Sequence, residues 1–447
     1  MWRAQWRAFF MTQRENAIEI LKRLQKAGHE TFFVGGCVRD QLRGVTPEDY
    51  DIATGARPEQ VQSLFLKTVG VGKNYGVIIV LQDGEQFEVA TFRDEDGYQD
   101  GRRPTEVLFS DAKTDASRRD FTVNGLFFDP VTGAVHDWVG GRKDLKQRII
   151  RAIGQPKERF AEDHLRLLRA VRFAAQLDYH IEPVTLAAVQ AQASLIGSVS
   201  AERVRDELCK LFSPPHAARG LDLLLESELL KHVLPELVAT IDCDQSPDFH
   251  PEGSVFNHIR LMLSLMPKDA SHLLPWTVLL HDIAKPQTSS IGNDGRIHFY
   301  AHEKIGSEMT ENILRRLRFP RVDIEAAAQT VCHHMQFKDA KKMRKATLRR
   351  MILRPNFDLE LEQYRLDCLG SHGKLDIYDF FCEQKMLLKK KPLLLAPLVN
   401  GKDILDLGIE SGPLMGELLE EIKDKQLSEE FSTREEALNW VKEKTAL

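Results

Sequence analysis

Two aspartates separated by one residue, Asp49 and Asp51, have the type and spacing needed for metal-assisted chemistry. On an extended strand, residues two apart point to the same face, so both carboxylates can bind one cluster of cations. Such a pair suits two Mg²⁺ ions, one activating an attacking hydroxyl and one holding a triphosphate. A surface Asp-x-Asp is the structural alternative, and the motif taken alone does not exclude it.

A third carboxylate is predicted on a neighbouring strand. Glu88 lies within an apolar run, whereas the competing Glu85 stands next to an Asp-Gly turn and is expected to be solvated. Upstream, Gly35 and Gly36 separate a predicted strand from a predicted helix, where backbone amides can approach a phosphate closely. We therefore predict that the catalytic residues are Asp49, Asp51 and Glu88.

A separate set of histidines and aspartates lies in the second half of the chain. Imidazole and carboxylate groups are suitable ligands for a transition metal, and the apolar run around His281 and Asp282 predicts a buried helix. A lone buried histidine is usually structural, but an ordered set favours a metal site. The set comprises His258, His281, Asp282, His302, His333 and Asp367, and we predict the ligands His258, His281, Asp282 and Asp367.

The elements that must position the first carboxylate group follow from the hydrophobic pattern. The pattern predicts helices at 14–27, 38–42 and 58–65, with extended segments at 31–34 and 50–54. Two apolar runs, 76–81 and 86–92, flank Asp83-Gly84 and predict a β-hairpin. The first part of the chain is therefore predicted to be a small mixed sheet with helices.

The rest of the chain has a different pattern. Residues 93–119 are polar and rich in Gly, Asp and Arg, which predicts a mobile functional loop. Past about residue 150, apolar residues recur at intervals of three and four, so the remainder is predicted to be helical. The basic run at 341–354 is either a solvated helix face or, as we predict, a contact for an RNA backbone.

Composition limits the class of protein. The 447 residues include 43% hydrophobic and 28% charged residues with a net charge of −5, which excludes a generally basic surface. No apolar run is long enough for a membrane span, and the first ten residues lack the apolar core of a signal peptide, with Met11 as an alternative start. Six scattered cysteines without a Cys-x-x-Cys pair exclude a zinc finger and indicate reduced thiols in a cytosolic protein.

The run GGCVRDQLRGVTPEDYDIAT resembles the first signature of the class II tRNA nucleotidyltransferase and bacterial poly(A) polymerase superfamily. Four further blocks follow in the family's order: RRDFTVNGLFFDP, HDWVGGRKDL, ERFAEDHLRLLRAVRFAAQL and SAERVRDELCKLF. The histidine set resembles the HD phosphohydrolase superfamily. The resemblance implies an α+β protein, with a polymerase-β-like head followed by all-α neck, HD-like and tail regions. The implied domains are 1–150 for the head, 151–220 for the neck, 221–370 for the HD-like region and 371–447 for the tail.

The resemblance also implies roles for individual residues. Arg119, Asp120 and Asn124 would lie near the nucleotide sugar, while Glu162, Asp163 and Arg166 would pair with the edge of the incoming base, as if the protein were the template. Gly125 stands where the family usually has alanine, and the segment 93–119 resembles a flexible loop used in switching from C to A addition. The predicted nucleotide-binding residues are Gly35, Gly36, Arg39, Arg119, Asp120, Asn124, Glu162, Asp163, Arg166, Arg169 and Arg172.

The function implied is addition of CMP, CMP and AMP from CTP and ATP to the 3′ end of tRNA, with Mg²⁺ as cofactor. A transition metal at the HD site is a further expectation, whereas no membrane contact and no obligate protein partner are expected. Alternatives are a poly(A) polymerase, a specialist that adds only A, an HD phosphohydrolase with an inactive head, and a non-catalytic RNA-binding protein. The single lysine in the segment 72–79 favours tRNA over poly(A) synthesis.

Overall fold

The structure, a computed structural model, describes residues 12–72, 75–96, 106–247, 250–293, 295–390 and 396–445. The aminoterminal stub, with its alternative start at Met11, and most of the central part of the predicted mobile loop lie outside the described residues. The chain divides into two compact units, Met1–Pro235 and Glu236–Leu447. Among the described residues, none of the helices combines the length and the apolarity that crossing a membrane requires.

The first unit begins with a mixed sheet and its covering helices. Seven strands form one sheet in the order β3-β4-β5-β2-β1-β8-β9, in which the pairing of β2 with β5 is parallel and the others are antiparallel. This confirms the predicted α+β head. The elements are α1 (Gln13–Lys26), β1 (Thr31–Val34), α2 (Gly36–Leu42), β2 (Ile52–Thr54), α3 (Pro58–Leu64), β3 (Thr68–Gly72), β4 (Val77–Gln82), β5 (Glu85–Thr91), β6 (Arg93–Asp96), β7 (Glu106–Phe109), α4 (Ala112–Ser117), β8 (Phe127–Asp129), β9 (Ala134–His136) and α5 (Gly141–Gln147).

The sheet is covered on both faces, which explains the unbroken apolar run of β1. Alternate side chains of a strand point to opposite faces. Phe33 packs in the cluster that contains Leu21 of α1, whereas Phe32 packs in the cluster that contains Ala116 of α4. All four residues of β1 are therefore buried. This central strand gives the adjoining β2 a fixed position, on which the carboxylate site depends.

The segment 93–119 differs from the predicted loop. Its described parts form the antiparallel pair β6–β7 and the short helix α4, whose first turn is capped by Asp111 through a hydrogen bond from the Thr114 amide. The polar composition did not indicate this regular structure, because the charged side chains of the segment pair with one another instead of with solvent. Arg118, for example, donates to the carboxylate of the buried Asp115. Residues 97–105 lie outside the described part of the chain.

The first unit continues as packed helices, as the spacing of apolar residues predicts. Two short strands are exceptions: β10 and β11 form a two-residue parallel pair. Residue 220, one of the predicted domain boundaries, falls within a helix. The elements are β10 (Ile149–Ile150), α6 (Pro156–Glu162), α7 (Leu165–Leu177), β11 (His180–Ile181), α8 (Pro183–Gln192), α9 (Ala201–Leu211), α10 (Ala217–Glu226) and α11 (Leu230–Val233).

The described residues of the second unit are helical apart from one small hairpin, β12–β13, which the helical pattern did not predict. It contains an apolar cluster around Phe337, Phe357 and Phe381, and a separate cluster around Ile404, Leu418 and others near the carboxyl terminus. The elements are α12 (Pro235–Val238), α13 (Val255–Ser264), α14 (Leu274–Leu280), α15 (Lys285–Thr288), β12 (Ser289–Ile291), β13 (Ile297–Phe299), α16 (His302–Arg316), α17 (Arg321–His333), α18 (Lys345–Ile352), α19 (Phe357–Gly370), α20 (Asp376–Lys390), α21 (Gly401–Leu405), α22 (Pro413–Leu427) and α23 (Arg434–Thr445).

Candidate active site and a buried histidine cluster

The three predicted carboxylates meet where β2 and β5 lie side by side. Asp51 immediately precedes β2, and its backbone carbonyl accepts a hydrogen bond from the Val34 amide at 3.0 Å. Tyr50 is buried whereas Asp49 is exposed, as the alternation of an extended segment requires. The parallel register of β2 and β5 places Glu88 next to Asp51, so the three acidic side chains share one region.

The pKa of Asp51 reflects the proximity of the other two carboxylates. Burial raises its pKa, and the negative charges of Asp49 and Glu88 raise it further, to about 6, against the opposing charge of Arg119. The negative charge of the three carboxylates is only partly compensated by nearby cationic side chains. Their oxygen atoms are therefore suitable ligands for a divalent cation, which would supply the missing positive charge. The competing Glu85 instead accepts a hydrogen bond from Asn16 at 3.2 Å and does not line the cavity described next.

A cavity of about 1530 Å³ opens in front of the carboxylates. It is lined by residues of the head and of the helices α7 and α9, together with Asp163 and His216, all in the first unit. Ten of the eleven predicted nucleotide-binding residues line it, and the exception is Glu162. The ten are Gly35, Gly36, Arg39, Arg119, Asp120, Asn124, Asp163, Arg166, Arg169 and Arg172.

A hydrogen-bonded chain crosses one wall of this cavity. Arg39 donates to the side-chain oxygen of Asn124 at 2.8 Å, and Asn124 donates to Asp120 at 3.3 Å. Asp120 in turn accepts from the Nε of Arg169 at 2.9 Å. Burial opposes ionisation of Asp120, but the charge and hydrogen bonds of Arg169 outweigh it and lower the pKa of the carboxyl to about 2. The wall is therefore a hydrogen-bonded network whose central carboxylate is ionised at neutral pH.

The predicted base-reading segment is not one continuous helix. Helix α6 ends at Glu162, Asp163 has an extended backbone, and α7 begins at Leu165. The Asp163 carboxylate accepts a hydrogen bond from the Leu165 amide at 3.1 Å, which stabilises the break. The break separates Asp163, which lines the cavity, from Glu162, which does not; Glu162 instead forms ion pairs with Arg159 and Arg166.

Two residues of α9 that we did not predict as functional contact this group. Arg203 donates to both carboxylate oxygens of Asp163, and Glu207 accepts from the Nε of Arg172 at 2.6 Å. They lie four residues apart, which places them on the same face of α9. Both belong to the block SAERVRDELCKLF, so their spacing and their charges, opposite to those on α7, were the available signal.

Two glycines of the head are required by close approaches. A Cβ on Gly125, where the family usually has alanine, would lie 2.7 Å from Val139 Cγ2 and 3.1 Å from Ile153 Cδ1. An alanine at this position would therefore have to displace the side chain of Val139. A Cβ on Gly141 would lie 2.1 Å from the carbonyl oxygen of Thr122, so this glycine lets α5 pack on the turn that carries Asn124.

In the second unit, three buried imidazoles have fixed tautomers. The Nδ1 atoms of His281, His302 and His334 lie 2.9, 2.7 and 2.6 Å from backbone carbonyl oxygens. Because a carbonyl only accepts, each Nδ1 must carry a proton, so the atom that each ring can offer to a metal ion is Nε2. Burial, with His281 nearby, lowers the pKa of His334 to about 3 and keeps that ring neutral.

These Nε2 atoms converge on Asp282. His302 Nε2 lies 3.1 Å from His334 Nε2 and 3.4 Å from Asp282 Oδ1, while His281 Nε2 lies 3.0 Å from Asp282 Oδ2. The Oδ1 atom of Asp282 and the Nε2 atom of His281 are buried without a hydrogen bond among the described residues. Lone pairs that face one another without a proton fit a cation, and the nitrogen and oxygen donors suit a transition metal.

His258 and Asp367, the remaining predicted ligands, form a neighbouring pair. His258 Nε2 lies 3.1 Å from Asp367, and its Nδ1 lies 2.6 Å from Glu252, a residue that we did not predict. Burial opposes the charged ring, but the hydrogen bonds that the ring donates to Asp367 and Glu252 outweigh it and raise the pKa of His258 to about 9. His258 therefore differs from the other three rings in being flanked by carboxylates on both sides.

The inclusion of His333 in the histidine set was wrong. Its Nδ1 faces Glu360 at 2.9 Å, whereas the adjacent His334 joins the cluster. Both lie at the carboxyl end of α17, and adjacent helical positions point about 100° apart, so a sequence with His-His does not specify which ring faces inwards. The candidate metal-binding groups contain His250, Glu252, His258, His281, Asp282, His302 and His334.

The basic run at 341–354 is largely neutralised within the second unit. Lys345 and Arg349 pair with Glu429, and Arg350 pairs with Glu420 at 2.8 Å. The other paired cations of the run are Lys341, Lys342 and Arg354. Most of its charge therefore has an acidic partner, and RNA contact at this surface stays a prediction.

The fold and the carboxylate cavity together define a nucleotidyltransferase with an appended HD domain. Residues 31–151 match the family model of the poly A polymerase head domain, residues 178–240 match the probable RNA and SrmB-binding site of polymerase A, and residues 254–358 match the HD domain. The similarity to individual relatives is more specific. The chain belongs to the family of CCA-adding enzymes.

The matches to individual relatives cover different shares of the two chains. The chain is 32% identical to the CCA-adding enzyme of Ligilactobacillus salivarius, over 92% of this chain and 91% of that one. It is 36% identical to the Pediococcus pentosaceus enzyme, over 74% of this chain and 85% of that one. With the Lactobacillus helveticus enzyme the identity is 40%, over 58% of this chain and 66% of that one, just under two thirds.

Solved structures resemble the whole chain. The Bacillus stearothermophilus CCA-adding enzyme in complex with CTP is 26% identical, has a TM-score of 0.76 and matches over 98% of each chain. A Thermotoga maritima CCA-adding enzyme complexed with tRNA is 20% identical, with a TM-score of 0.57 over 95% of this chain and 93% of that one. At 20% identity the second likeness concerns the fold alone.

Proposed function

We propose that this chain adds CMP, CMP and AMP, in that order, to the 3′ end of tRNA from CTP and ATP, without a nucleic-acid template. The observation that carries the proposal is the convergence of Asp49, Asp51 and Glu88 at a cavity that also contains Asp163 and Arg166. Similarity to a CCA-adding enzyme structure with CTP supports the substrate. The proposal includes a cytoplasmic location, supported by six free cysteines.

In the proposed reaction, the terminal 3′ hydroxyl of the RNA forms a bond to the α-phosphate of the incoming nucleotide. The bond between the α- and β-phosphates breaks, pyrophosphate leaves, and the hydroxyl proton passes to solvent. Asp49, Asp51 and Glu88 would hold Mg²⁺, which supplies activation of the hydroxyl and charge neutralisation at the phosphates. The positive side chains of Arg39 and Arg119 would bind the triphosphate in the same cavity.

Selection of the base follows from the types of group that line the cavity. Cytosine and adenine both present an exocyclic amino group next to a ring nitrogen that accepts, whereas uracil and guanine present the reverse order. The carboxylate of Asp163 only accepts, and the guanidinium of Arg166 only donates. Together they match the pattern that cytosine and adenine share. Arg166 is held in place by the carbonyl oxygens of Arg159 and Arg118 at 2.9 and 3.2 Å.

The test is an extension assay with purified protein, Mg²⁺ and tRNA ending before CCA, after C or after CC. CTP and ATP would be supplied singly and together, and products resolved to one nucleotide. Addition of three nucleotides in the order C, C, A supports the proposal. Long A tails on any RNA would indicate a poly(A) polymerase, and addition of A only to tRNA ending in CC would indicate the specialist; either outcome contradicts the proposal.

A second candidate function rests on the histidine cluster. Three imidazoles whose Nε2 atoms face the carboxylate of Asp282 are a set that a divalent transition metal can bind, and a metal there would supply an activated water for phosphoester hydrolysis. Lys285 donates to Asp282 Oδ2 at 2.7 Å and leaves Oδ1 for the imidazole side. We therefore include metal-dependent phosphohydrolase activity of the second unit in the proposal.

Replacement of His302 by alanine should separate the two activities. We expect Ni²⁺- or Co²⁺-dependent hydrolysis of a phosphoester such as p-nitrophenyl phosphate to fall at least about 100-fold, because removing one ligand weakens metal binding severely. Extension of tRNA should change less than about twofold. The matched control is His333→Gln, which alters a histidine of the same region outside the cluster.

Metal content would be measured on the same samples by mass spectrometry. Wild-type protein that binds neither Ni²⁺ nor Co²⁺ would contradict the metal site, and metal-loaded protein without hydrolysis would contradict the activity. An equal loss of hydrolysis in both variants would mean that the cluster geometry is not what supports it.

A further inference from the structure

Glu252 contacts two histidines at the edge of the buried histidine cluster. Its Oε1 atom lies 2.6 Å from Nδ1 of His258 and 2.9 Å from Nδ1 of His250. An ionised carboxylate only accepts, so both rings donate an N–H to it. The side chain of Glu252 is only 9% exposed, and burying a carboxylate is costly unless it is paired. The two imidazoles are therefore the groups that compensate its burial.

His258 differs from the other three rings of the cluster in how its Nδ1 atom is held. In His281, His302 and His334 this atom faces a backbone carbonyl three residues earlier in the chain. Such a contact belongs to the local backbone and does not depend on any neighbouring side chain. His258 lies within α13, and its Nδ1 instead faces a side chain six residues earlier. The orientation of this one ring thus depends on a side chain that can be replaced.

The turn before α13 brings that side chain back to the helix. Gly253 has a φ of 97°, in the left-handed region that favours glycine, so the chain reverses directly after Glu252. Ser254 then caps α13 by accepting a hydrogen bond from the Asn257 amide. Together these two features fix the backbone between Glu252 and the helix that contains His258.

Packing alone does not determine which nitrogen of His258 faces the cluster. Helix α19 lies close to the ring, since a Cβ on Gly370 would be 3.4 Å from its Cε1. A half-turn of the ring exchanges nitrogen and carbon positions but hardly changes its outline, so close packing permits both orientations. Hydrogen bonds distinguish them. The bond to Glu252 selects the orientation in which Nε2 lies 3.1 Å from Asp367.

The side of the cluster that His258 faces is suited to a cation. The ligand atoms of His258, His281 and Asp282 all lie within 4.8 Å of one another. A metal bound at Nε2 replaces the proton there, so the ring then keeps only the hydrogen bond from Nδ1. A carboxylate that accepts from a ligating histidine orients the ring and makes it a better ligand. Glu252 is in the place where such a partner is needed.

We infer that Glu252 is a positioning residue for the metal site of the second unit: it holds His258 with Nε2 facing Asp282 and Asp367, and it does not itself bind the metal. The inference rests on the metal-dependent part of the proposed function. It adds to that proposal a residue outside the histidine set, on which the affinity of the site for a metal depends.

The test measures the affinity of the metal-free full chain for Co²⁺ by isothermal titration calorimetry. Excess Mg²⁺ occupies the carboxylates of the first unit, because oxygen ligands suit Mg²⁺ whereas imidazoles suit Co²⁺. In Glu252→Leu we expect the Kd for Co²⁺ to rise about 10- to 100-fold, the usual effect of removing the partner of a ligating histidine. The visible absorption of the bound Co²⁺ should also change, because one nitrogen ligand is displaced.

Two conservative variants separate orientation from charge. Glu252→Gln loses the charge but keeps an oxygen that can accept from Nδ1, whereas Glu252→Asp keeps the charge on a side chain one carbon shorter. We expect the glutamine variant to bind Co²⁺ more tightly than the aspartate variant. The matched control is Glu303→Gln, which removes a carboxylate 3.9 Å from Nδ1 of His302, a ring that the Phe299 carbonyl already orients. Its Kd should stay within about threefold of the wild type, since no ring loses its hydrogen bond.

The outcomes distinguish the inference from the proposed function. Wild-type protein that binds no Co²⁺ would contradict the metal-dependent part of the proposed function and the inference with it. Wild-type protein that binds Co²⁺ while Glu252→Leu keeps its Kd within twofold would overturn the inference alone. Tighter binding by Glu252→Asp than by Glu252→Gln, or an equal loss in Glu303→Gln, would also overturn it, because charge would then be the cause. If Glu252→Leu does not fold, as judged by thermal unfolding, Glu252→Asp takes its place, and an unchanged Kd in that variant overturns the inference equally.

Discussion

Replacement of Asp51 by asparagine is expected to lower kcat for nucleotide addition by roughly a thousandfold or more, because metal stabilisation of phosphoryl transfer supplies several kcal/mol and each 1.4 kcal/mol is tenfold. Asp51 is central to the group: its pKa is raised to about 6 by burial and by the charges of Asp49 and Glu88. Asparagine has nearly the same shape, so the fold should persist. Single-turnover extension of tRNA with CTP measures the effect.

The control for Asp51→Asn is Glu85→Gln. Glu85 lies on β5, three residues before Glu88, but contacts Asn16 and does not line the cavity. The same loss of one negative charge should leave kcat within about twofold, because no group that contacts substrate is changed. Full activity of Asp51→Asn, or equal losses in both variants, would refute the assignment of the metal-binding carboxylates.

Replacement of Arg169 by methionine is expected to destabilise the first unit by about 3–5 kcal/mol, because the buried Asp120 would lose the cation that compensates its charge. For a unit of this size that corresponds to a fall in Tm of roughly 10 °C. Differential scanning calorimetry at neutral pH measures it. The control Lys231→Met removes a cation from an exposed pair with Glu228 and should change stability by less than about 1 kcal/mol.

The effect of Arg169→Met should depend on pH in a defined direction. In the wild type the pKa of Asp120 is about 2, below the ordinary value for an aspartate. The ion pair therefore stabilises the fold in full at pH values above that ordinary pKa, and its contribution is lost as the pH falls towards 2. In the variant, burial raises the pKa of Asp120, and only the charge of Arg166 and hydrogen bonds such as that from the Phe121 amide still oppose it. The difference in Tm should therefore narrow below about pH 4. A difference that is constant with pH would mean that lost packing, rather than charge, is the cause.

Local signals predicted most of the head. The apolar run before Gly35 is β1, and the Asp83-Gly84 turn joins β4 to β5 with both residues at positive φ. Such features are set by neighbouring residues, so the sequence contains them in full. Asp49, Asp51 and Glu88 could be grouped from the sequence. The alternation of side chains along an extended segment places Asp49 and Asp51 on one face, and the Asp83-Gly84 turn defines the strand that contains Glu88. Their catalytic role stays a prediction, for which the Asp51 variant is the test.

Features set by distant residues were not predictable in the same way. The break at Asp163 depends on a local cap and on Arg203, forty residues later in the chain. Whether His333 or His334 faces the histidine cluster depends on the packing of α17, and the pairing of β6 with β7 is accompanied by a hydrogen bond from the Arg93 amide to the buried Asp115. Composition and periodicity do not specify these tertiary contacts, although Asp163 and Arg203 were both present in the quoted blocks.

The ion pairs between α18 and the end of α22 have a consequence for how the last part of the chain is attached. The apolar cluster that includes Leu348 of α18 and the one that includes Leu418 of α22 are separate, and Lys345, Arg349 and Arg350 join the two regions through Glu420 and Glu429. Exposed ion pairs are individually weak, and salt screens them. Higher ionic strength is therefore expected to weaken the attachment of the carboxy-terminal helices to α18. A polyanion that binds α18 must displace Glu420 and Glu429 from their basic partners.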